Sequence, residues 1–273
     1  MALCAVAQAL VTFLLIDTKP VYPVLAILFL STLCIYNFSI LLSKPKSPER
    51  SAFKRVRWFF RYYNWMLALT IISAILLLPL FFWVSNESKL LLILLSVLSF
   101  GYGLPMFSTG NQKFGLRNIP GLKLLLIGLT WTGSIVLLPV FEAQHSYHFA
   151  INNTDILLLS AKRWLFITAM AIPFDIRDLF QDRKLGLKTI PVVFGEKSAY
   201  LLCQLLLAGY LILLFLFKNH GFDQNFFALT ITIVLAGWLI FRSKFEKNEY
   251  FYFFYVDGVL ILQWLLMLIF NIL

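Results

Sequence analysis

Charge is scarce in this chain: 13% of its 273 residues are charged, against 60% hydrophobic and 17% aromatic. A soluble domain of this length could not hide so much apolar surface, so the composition excludes the soluble classes. Cysteine is nearly absent as well. Cys4, Cys34 and Cys203 lie in separate apolar stretches without metal spacing, so they read as small core residues. His145, His148 and His220 fall in polar connections far from any acidic cluster, which argues against a catalytic histidine or a zinc site. The chain has no GxxxxGK[ST] loop, no GxGxxG after a strand and no solenoid repeat. The net charge of +10 could suit nucleic acid. Anionic lipid headgroups and membrane topology account for it better, so membrane lipids are the expected partners and nucleic acid is not.

A transmembrane helix needs about 20 predominantly apolar residues. Spans are expected near 1–16, 21–42, 64–84, 89–107, 121–141, 154–174, 197–217, 224–241 and 251–272, nine in all. The first is short, and it carries no basic flank ahead of it, which argues against a cleaved signal peptide. Either it sits obliquely or the chain starts before Met1. Eighteen of the twenty-three basic residues fall in the connections after spans two, four, six and eight, and only Lys19, Lys89 and Lys218 in the opposite ones. This bias predicts a cytoplasmic N-terminus and a multi-pass protein of the cell membrane, the bacterial inner membrane.

The densest polar stretch, Phe174–Val192, leaves the sixth span. It carries Asp175, Asp178 and Asp182. At about 3.6 residues per turn, i, i+3 and i+7 share one helix face, so three carboxylates would point together. That is costly unless a cation sits among them. Oxygen ligands suit Mg2+, which shares its shell with water and substrate phosphates. Arg177, Arg183, Lys184 and Lys188 supply the positive complement of a diphosphate. Asp175, Asp178 and Asp182 are therefore the expected catalytic and metal-ligating residues, with Arg177, Lys184 and Lys188 on the diphosphate. Pro173 is expected to break span six, and Gly186 to permit a left-handed turn.

Asp175-x-x-Asp178-x-x-x-Asp182-Arg-x-x-Gly186-x-x-Thr189-x-Pro191-Val-x-x-Gly195 resembles the second aspartate-rich motif of the UbiA superfamily of intramembrane prenyltransferases. The resemblance implies a single domain over 1–273, an all-α membrane protein with nine transmembrane helices bundled around a central cavity. It also implies Mg2+-dependent transfer of a polyprenyl group from an isoprenoid diphosphate to a lipophilic, typically aromatic, acceptor. Gly101-Tyr-Gly-Leu-Pro105 and Lys113 are similar to the family's tyrosine and basic residues, which adds Tyr102 to the pocket and Lys113 to the diphosphate site.

The first family motif, NDxxDxxxD, is not intact. Tyr36-Asn37 is present, but the acidic positions read Phe38, Leu41 and Pro45, followed by a basic, proline-broken stretch in which Glu49 is the one acid. Two explanations stand. In one, Lys44, Lys46 and Arg50 neutralise the diphosphate directly and one Mg2+ on the aspartates suffices. In the other, catalysis is lost and the fold binds or presents an isoprenoid lipid. A transporter is a third class, disfavoured because the charged cluster lies at one membrane face and no inverted repeat is visible.

Asn37 and Asn64 are expected to bind diphosphate or acceptor, or else to cap or bridge helices. Tyr36, Tyr63 and Tyr102 could steady an allylic cation through their ring faces. Arg163, with Lys162, sits inside span six, either snorkelling or pointing into the cavity. Asp257, a turn or two into span nine, either pairs with a base or lines the pocket. The block Lys54, Arg55, Arg57 and Arg61 is expected to anchor its loop to lipid headgroups.

Overall fold

The computed structural model describes residues 1–42, 49, 51, 54–103, 107–109, 112–114, 121–148, 150–184, 186–217, 221–246 and 248–272; the side chains of 102, 103, 107–109 and 112–114 lie outside that description. In chain order the helices are α1 (Ala2–Leu15), α2 (Tyr22–Leu42), α3 (Lys54–Arg61), α4 (Tyr63–Trp83), α5 (Asn86–Gly103) and α6 (Leu122–Tyr147). They continue with α7 (Asn153–Arg177), α8 (Leu179–Lys184), α9 (Ile190–Phe194), α10 (Glu196–Leu216), α11 (Gln224–Ser243) and α12 (Glu249–Ile272). The architecture is all-helical, as expected. A small antiparallel hairpin between α5 and α6 is the exception among the described residues: β1 (Phe107–Thr109) pairs with β2 (Gln112–Phe114). The fourth expected span was drawn to residue 107, where this hairpin begins.

Among the described residues three helices are short and the others overlap the stretches expected to span, but the expected count of nine transmembrane helices is not reached by length and hydropathy. Seven are long and apolar enough to cross a membrane: α2, α4, α6, α7, α10, α11 and α12. Helix α1 has 14 residues, which rise only about 21 Å against a hydrocarbon core of about 30 Å. Helix α5 is not among the seven. Contacts between chain-distant residues define the two ends of the bundle. At one end Lys123 meets Asp175, and the Glu249 carboxylate accepts the Lys54 backbone N–H at 3.1 and 3.3 Å. At the other, Glu142 accepts the Ser85 N–H at 2.8 Å, and Asn271 donates to Asn225 at 2.8 Å.

Helix starts follow from side chains able to take up orphan N–H groups. Asn152 accepts from Thr154 N–H ahead of α7, and Asp223 accepts from Phe226 N–H at 2.7 Å ahead of α11. The buried apolar residues form one contiguous cluster along the facing sides of α1, α6, α7, α10, α11 and α12. Ile71, Ile75 and Phe82 on α4, and Leu201, Leu205 and Ile212 on α10, remain exposed. A bundle whose solvent is lipid has no reason to cover them.

Two π-turns interrupt long helices, Gly133–Leu137 in α6 and Tyr252–Val256 in α12. Each widens the hydrogen-bond ladder to i→i+5, as in the 2.9 Å bond from Asp257 N–H to the Tyr252 carbonyl. Helix α1 packs over both. Thr12 donates to the Ile135 carbonyl at 2.6 Å, Cys4 donates to the Asp257 carbonyl at 3.6 Å, and Gln8 donates to the Leu260 carbonyl at 2.8 Å. Cys4, Gln8 and Thr12 are spaced four residues apart, so they form one stripe down α1.

Helices α6 and α7 meet closely at Gly128, where an added Cβ would lie 2.5 Å from Trp164 Nε1 and 2.7 Å from Thr168 Oγ1. Gly128→Val is expected to force the pair apart and cost about 1–3 kcal/mol. Thermal unfolding in detergent checks it: the variant should melt below the native chain, with Gly128→Ala between the two.

Candidate functional site

Helix α7 carries the acidic stretch to one end of the bundle, but not as one helix. Pro173 sits inside α7, which runs on to Arg177, so the expected break at Pro173 is corrected. A proline removes one N–H from the ladder, and α7's packing on α6 and α10 evidently carries the helix past that loss. The interruption comes instead at Asp178, with φ −90° and ψ 4°, and α8 restarts at Leu179. The i, i+3, i+7 geometry of an unbroken helix therefore does not apply. Asp178 forms the corner and Asp182 lies on the following turn, tied back by its N–H to the Asp178 carbonyl at 2.9 Å. The Leu187 N–H returns to the Asp182 carbonyl at 2.9 Å, and Gly186 adopts φ +67°, the left-handed turn expected there.

The three carboxylates differ in environment. Asp175 is 3% exposed; its Oδ1 accepts from Lys123 at the start of α6, and its Oδ2 has no hydrogen-bond partner among the described residues. Asp182 is 6% exposed. Asp178 is half-buried and takes Arg177 in a two-pronged pair, Nε to Oδ1 at 2.8 Å and Nη2 to Oδ2 at 3.0 Å. Asp178 and Asp182 both act on Asp175 as neighbouring charges. Among the described residues no three His, Cys, Asp or Glu side chains stand close enough to hold a metal by themselves. A buried carboxylate oxygen without a partner, beside a second buried acid, still fits Mg2+, which takes one or two protein carboxylates and completes its shell with water and phosphate.

Arg177 is caged. Its guanidinium lies over the rings of Phe174, Tyr252 and Phe253 at 5.2, 5.4 and 5.4 Å. Arg55, on α3, lies over the Phe253 ring at 5.8 Å, and Lys54 over the Tyr250 ring at 4.9 Å. Half of the basic block expected to anchor on lipid thus docks against α12, because Glu249 caps the first N–H of α3. All four residues of the block remain exposed, and Arg57 turns its Nη1 to the Ser51 carbonyl. Asp257 is buried just after the second π-turn, where Arg177 and Arg55 act on it as opposite charges and Tyr36 lies within the same electrostatic neighbourhood.

The other expected residues scatter. Asn37 is buried with its Nδ2 unpartnered among the described residues, while Asn64 is exposed in the first turn of α4. Tyr63 stacks on Phe60 at 6.1 Å. Lys184 is exposed over the Phe180 ring at 4.3 Å, and Lys188 is exposed. Lys44, Lys46 and Arg50 lie outside the described residues, as do the side chains of Tyr102, in α5, and Lys113, on β2. Arg163 is fully buried: its Nη1 donates to Gln8 Oε1 at 2.9 Å and to Gln263 Oε1, and Gln8 Nε2 bonds Gln263 Oε1 at 3.0 Å. It neither snorkels nor pairs with an acid; it joins α1, α7 and α12 twelve residues, about 18 Å, from Asp175 along α7.

Residues 61–256 match the UbiA prenyltransferase family. The chain belongs to that family. Three solved UbiA homologues share the fold: an apo structure from Aeropyrum pernix K1 (TM-score 0.66, 15% identity, covering 100% of this chain and 98% of that one), and two from Archaeoglobus fulgidus. Of the latter, one is bound to GPP and Mg2+ (TM-score 0.59, 14% identity, 100% and 96% covered), the other to DMAPP and Mg2+ (0.55, 15%, 99% and 94%). Over 153 residues the chain is 26% identical to the chloroplastic chlorophyll synthase of Arabidopsis thaliana, a match spanning 51% of this chain and 36% of that relative.

Sequence reasoning about this UbiA-family site missed Lys123 and Arg55 as partners of its charges. Lys123 was visible as a basic residue opening a span on the acidic side, and Arg55 was grouped with the lipid anchors. Replacing Lys123 by Met strips a buried carboxylate of its hydrogen-bonded cation and is expected to cost about 1–3 kcal/mol. Unfolding of Lys123→Met, Asp175→Asn and the double variant checks this: the double variant should recover part of the loss.

Proposed function

We propose that this UbiA-family chain transfers a polyprenyl group from an isoprenoid diphosphate to a lipophilic, aromatic acceptor within the membrane, with Mg2+ as cofactor and the aspartate end facing the cytoplasm. One observation carries the reading: Asp175, 3% exposed, holds an unpartnered Oδ2 beside buried Asp182, at the end where Lys123, Arg177 and Arg55 gather. The homologues bound to isoprenoid diphosphates and Mg2+ support it at the level of the fold.

Asp175 and Asp182, with Asp178 at the corner between them, would hold Mg2+. When bound, the ion supplies a positive charge against the diphosphate as the allylic C–O bond breaks. Lys123 and Arg177, paired with Asp175 and Asp178, would give their N–H donors to phosphate oxygens that compete for them. Three rings and Asp178 fix Arg177, so its charge is preorganised and little reorganisation opposes departure of the diphosphate. Tyr36 would offer a ring face to the allylic cation, with Asp257 in its electrostatic neighbourhood on the acceptor side. Apolar helix faces exclude water from that cation. The basic stretch replacing the first aspartate motif would meet the diphosphate directly, leaving a single ion on the second motif.

Membranes containing the chain, supplied with labelled farnesyl or geranylgeranyl diphosphate and a mixed quinone-precursor acceptor pool, should form a prenylated product that EDTA abolishes and Mg2+ restores. Asp175→Asn and Asp182→Asn should each lower turnover about 100-fold or more. Turnover untouched by Asp178→Ala and Asp182→Ala would refute the metal role. Labelled diphosphate retained without product, with or without EDTA, would favour the alternative reading of an isoprenoid-presenting protein.

A further inference from the structure

Arg163 lies ten residues after Asn153 and fourteen before Arg177, the ends of α7, and so near the middle of the bundle. Its side chain is fully buried, and its hydrogen bonds all leave from one nitrogen: Nη1 serves Gln8 and Gln263. Nε and Nη2 are enclosed and have no hydrogen-bond partner among the described residues. These two nitrogens form the edge of a guanidinium that presents parallel N–H bonds to an anion.

The neighbourhood is short of acceptors. Gln263 Nε2 is likewise enclosed and unpartnered, and so is the hydroxyl of Ser160, one turn earlier on the same side of α7. The Gln8 carbonyl is already taken by Nη1. Ionisable groups in the field of Arg163 are the Tyr210 hydroxyl and Lys162, and the second is another positive charge. A guanidinium keeps its proton in a protein, so the charge stays. A buried cation without a counter-charge, beside N–H groups without acceptors, is costly in hydrocarbon. Water would accept those N–H bonds but would leave the charge standing. An anion does both.

Solvent-sized space comes close to this level. A half-open hollow of about 140 Å³ at the end opposite the aspartates is lined along α7 by Asp155, Leu158, Leu159 and Lys162, the residue before Arg163. One water needs only about 10–15 Å³ of such space, so the hollow admits a small hydrated ion as far as Lys162. We propose that the open edge of Arg163 holds one buried monovalent anion, chloride in ordinary salt, as counter-ion where α1, α7 and α12 join. The anion accepts from Nε and Nη2 of Arg163 and from the Gln263 amide, and Lys162 draws it in from the hollow. Stability depends on it, and prenyl transfer does not enter. A transferase and an isoprenoid-presenting protein carry such a site equally.

The full chain, purified in detergent with bromide as the sole halide and crystallised, tests it by anomalous diffraction at the bromine edge. A peak at hydrogen-bonding distance from Nε and Nη2 of Arg163 is expected. Density there without anomalous signal is a water and overturns the proposal, as does bromide found only on the surface. Melting in detergent reads the same site independently. At constant ionic strength, chloride or bromide in place of gluconate should raise the midpoint of the native chain by about 5 °C. Gln263→Glu sets a carboxylate against the guanidinium, so that variant should melt alike in both salts. Equal midpoints of the native chain in the two salts overturn the proposal, and so does a halide response that survives Gln263→Glu. If Gln263→Glu does not fold, the bromide peak and the native melting decide.

Discussion

A bundle in lipid has no water with which to finish its hydrogen bonds, and that constraint falls hardest on the two π-turns. Both lie under α1. Helix α1 is too short to span the hydrocarbon unaided, and it is uncharged between its ends, yet its stripe of Cys4, Gln8 and Thr12 reaches carbonyls on both irregular helices. Three levels of polar contact fix its height and rotation. The second π-turn is followed at once by Asp257, so the helix that covers the turn also places that carboxylate in the field of Arg177 and Arg55. Structure at the middle of the bundle is in this way coupled to chemistry at its end.

The same stripe receives Arg163. A guanidinium in hydrocarbon costs several kcal/mol unless it finds hydrogen-bond acceptors; two glutamine carbonyls serve Nη1 of Arg163 without a second charge, while its Nε and Nη2 have no partner among the described residues. Gln8 spends its amide on Leu260 and Gln263 and its carbonyl on Arg163, so each polar group of that side chain has a partner. Removing Gln8 would therefore expose several groups at once, which is why such networks resist piecemeal change.

Long apolar runs made the helices legible, seven of them long enough to span, because about 20 residues with few charges admit few other readings. The second aspartate motif was legible because acids at a span end have no cheap structural use. The break at Asp178 was not. Helical spacing assumes an uninterrupted ladder, and nothing local distinguishes Asp178 from Asp175 until the chain must turn to bring Lys123 and Arg177 against both. Pro173 misled for the complementary reason: it announces a break, and tertiary packing of α7 overrides it. The Lys123–Asp175 pair and the Arg163 network join residues 52 to 255 positions apart, and no window along the sequence contains both partners.

The basic block before α4 changes meaning once α3 is placed. Read alone, four cations in eight residues suit a headgroup surface. Glu249, an acid at the start of α12, caps α3 and draws Lys54 and Arg55 over the rings of Tyr250 and Phe253. Arg55 and Arg177 then face the same ring of Phe253, two like charges side by side. Such a pair is tolerated only where negative charge is at hand, and Asp178 and Asp257 supply it within the protein. The end of the bundle that lacks the carboxylates of a first motif thus carries its cations already opposed to acids. The guanidinium groups there are held in place in advance, each against a ring and within the field of a carboxylate.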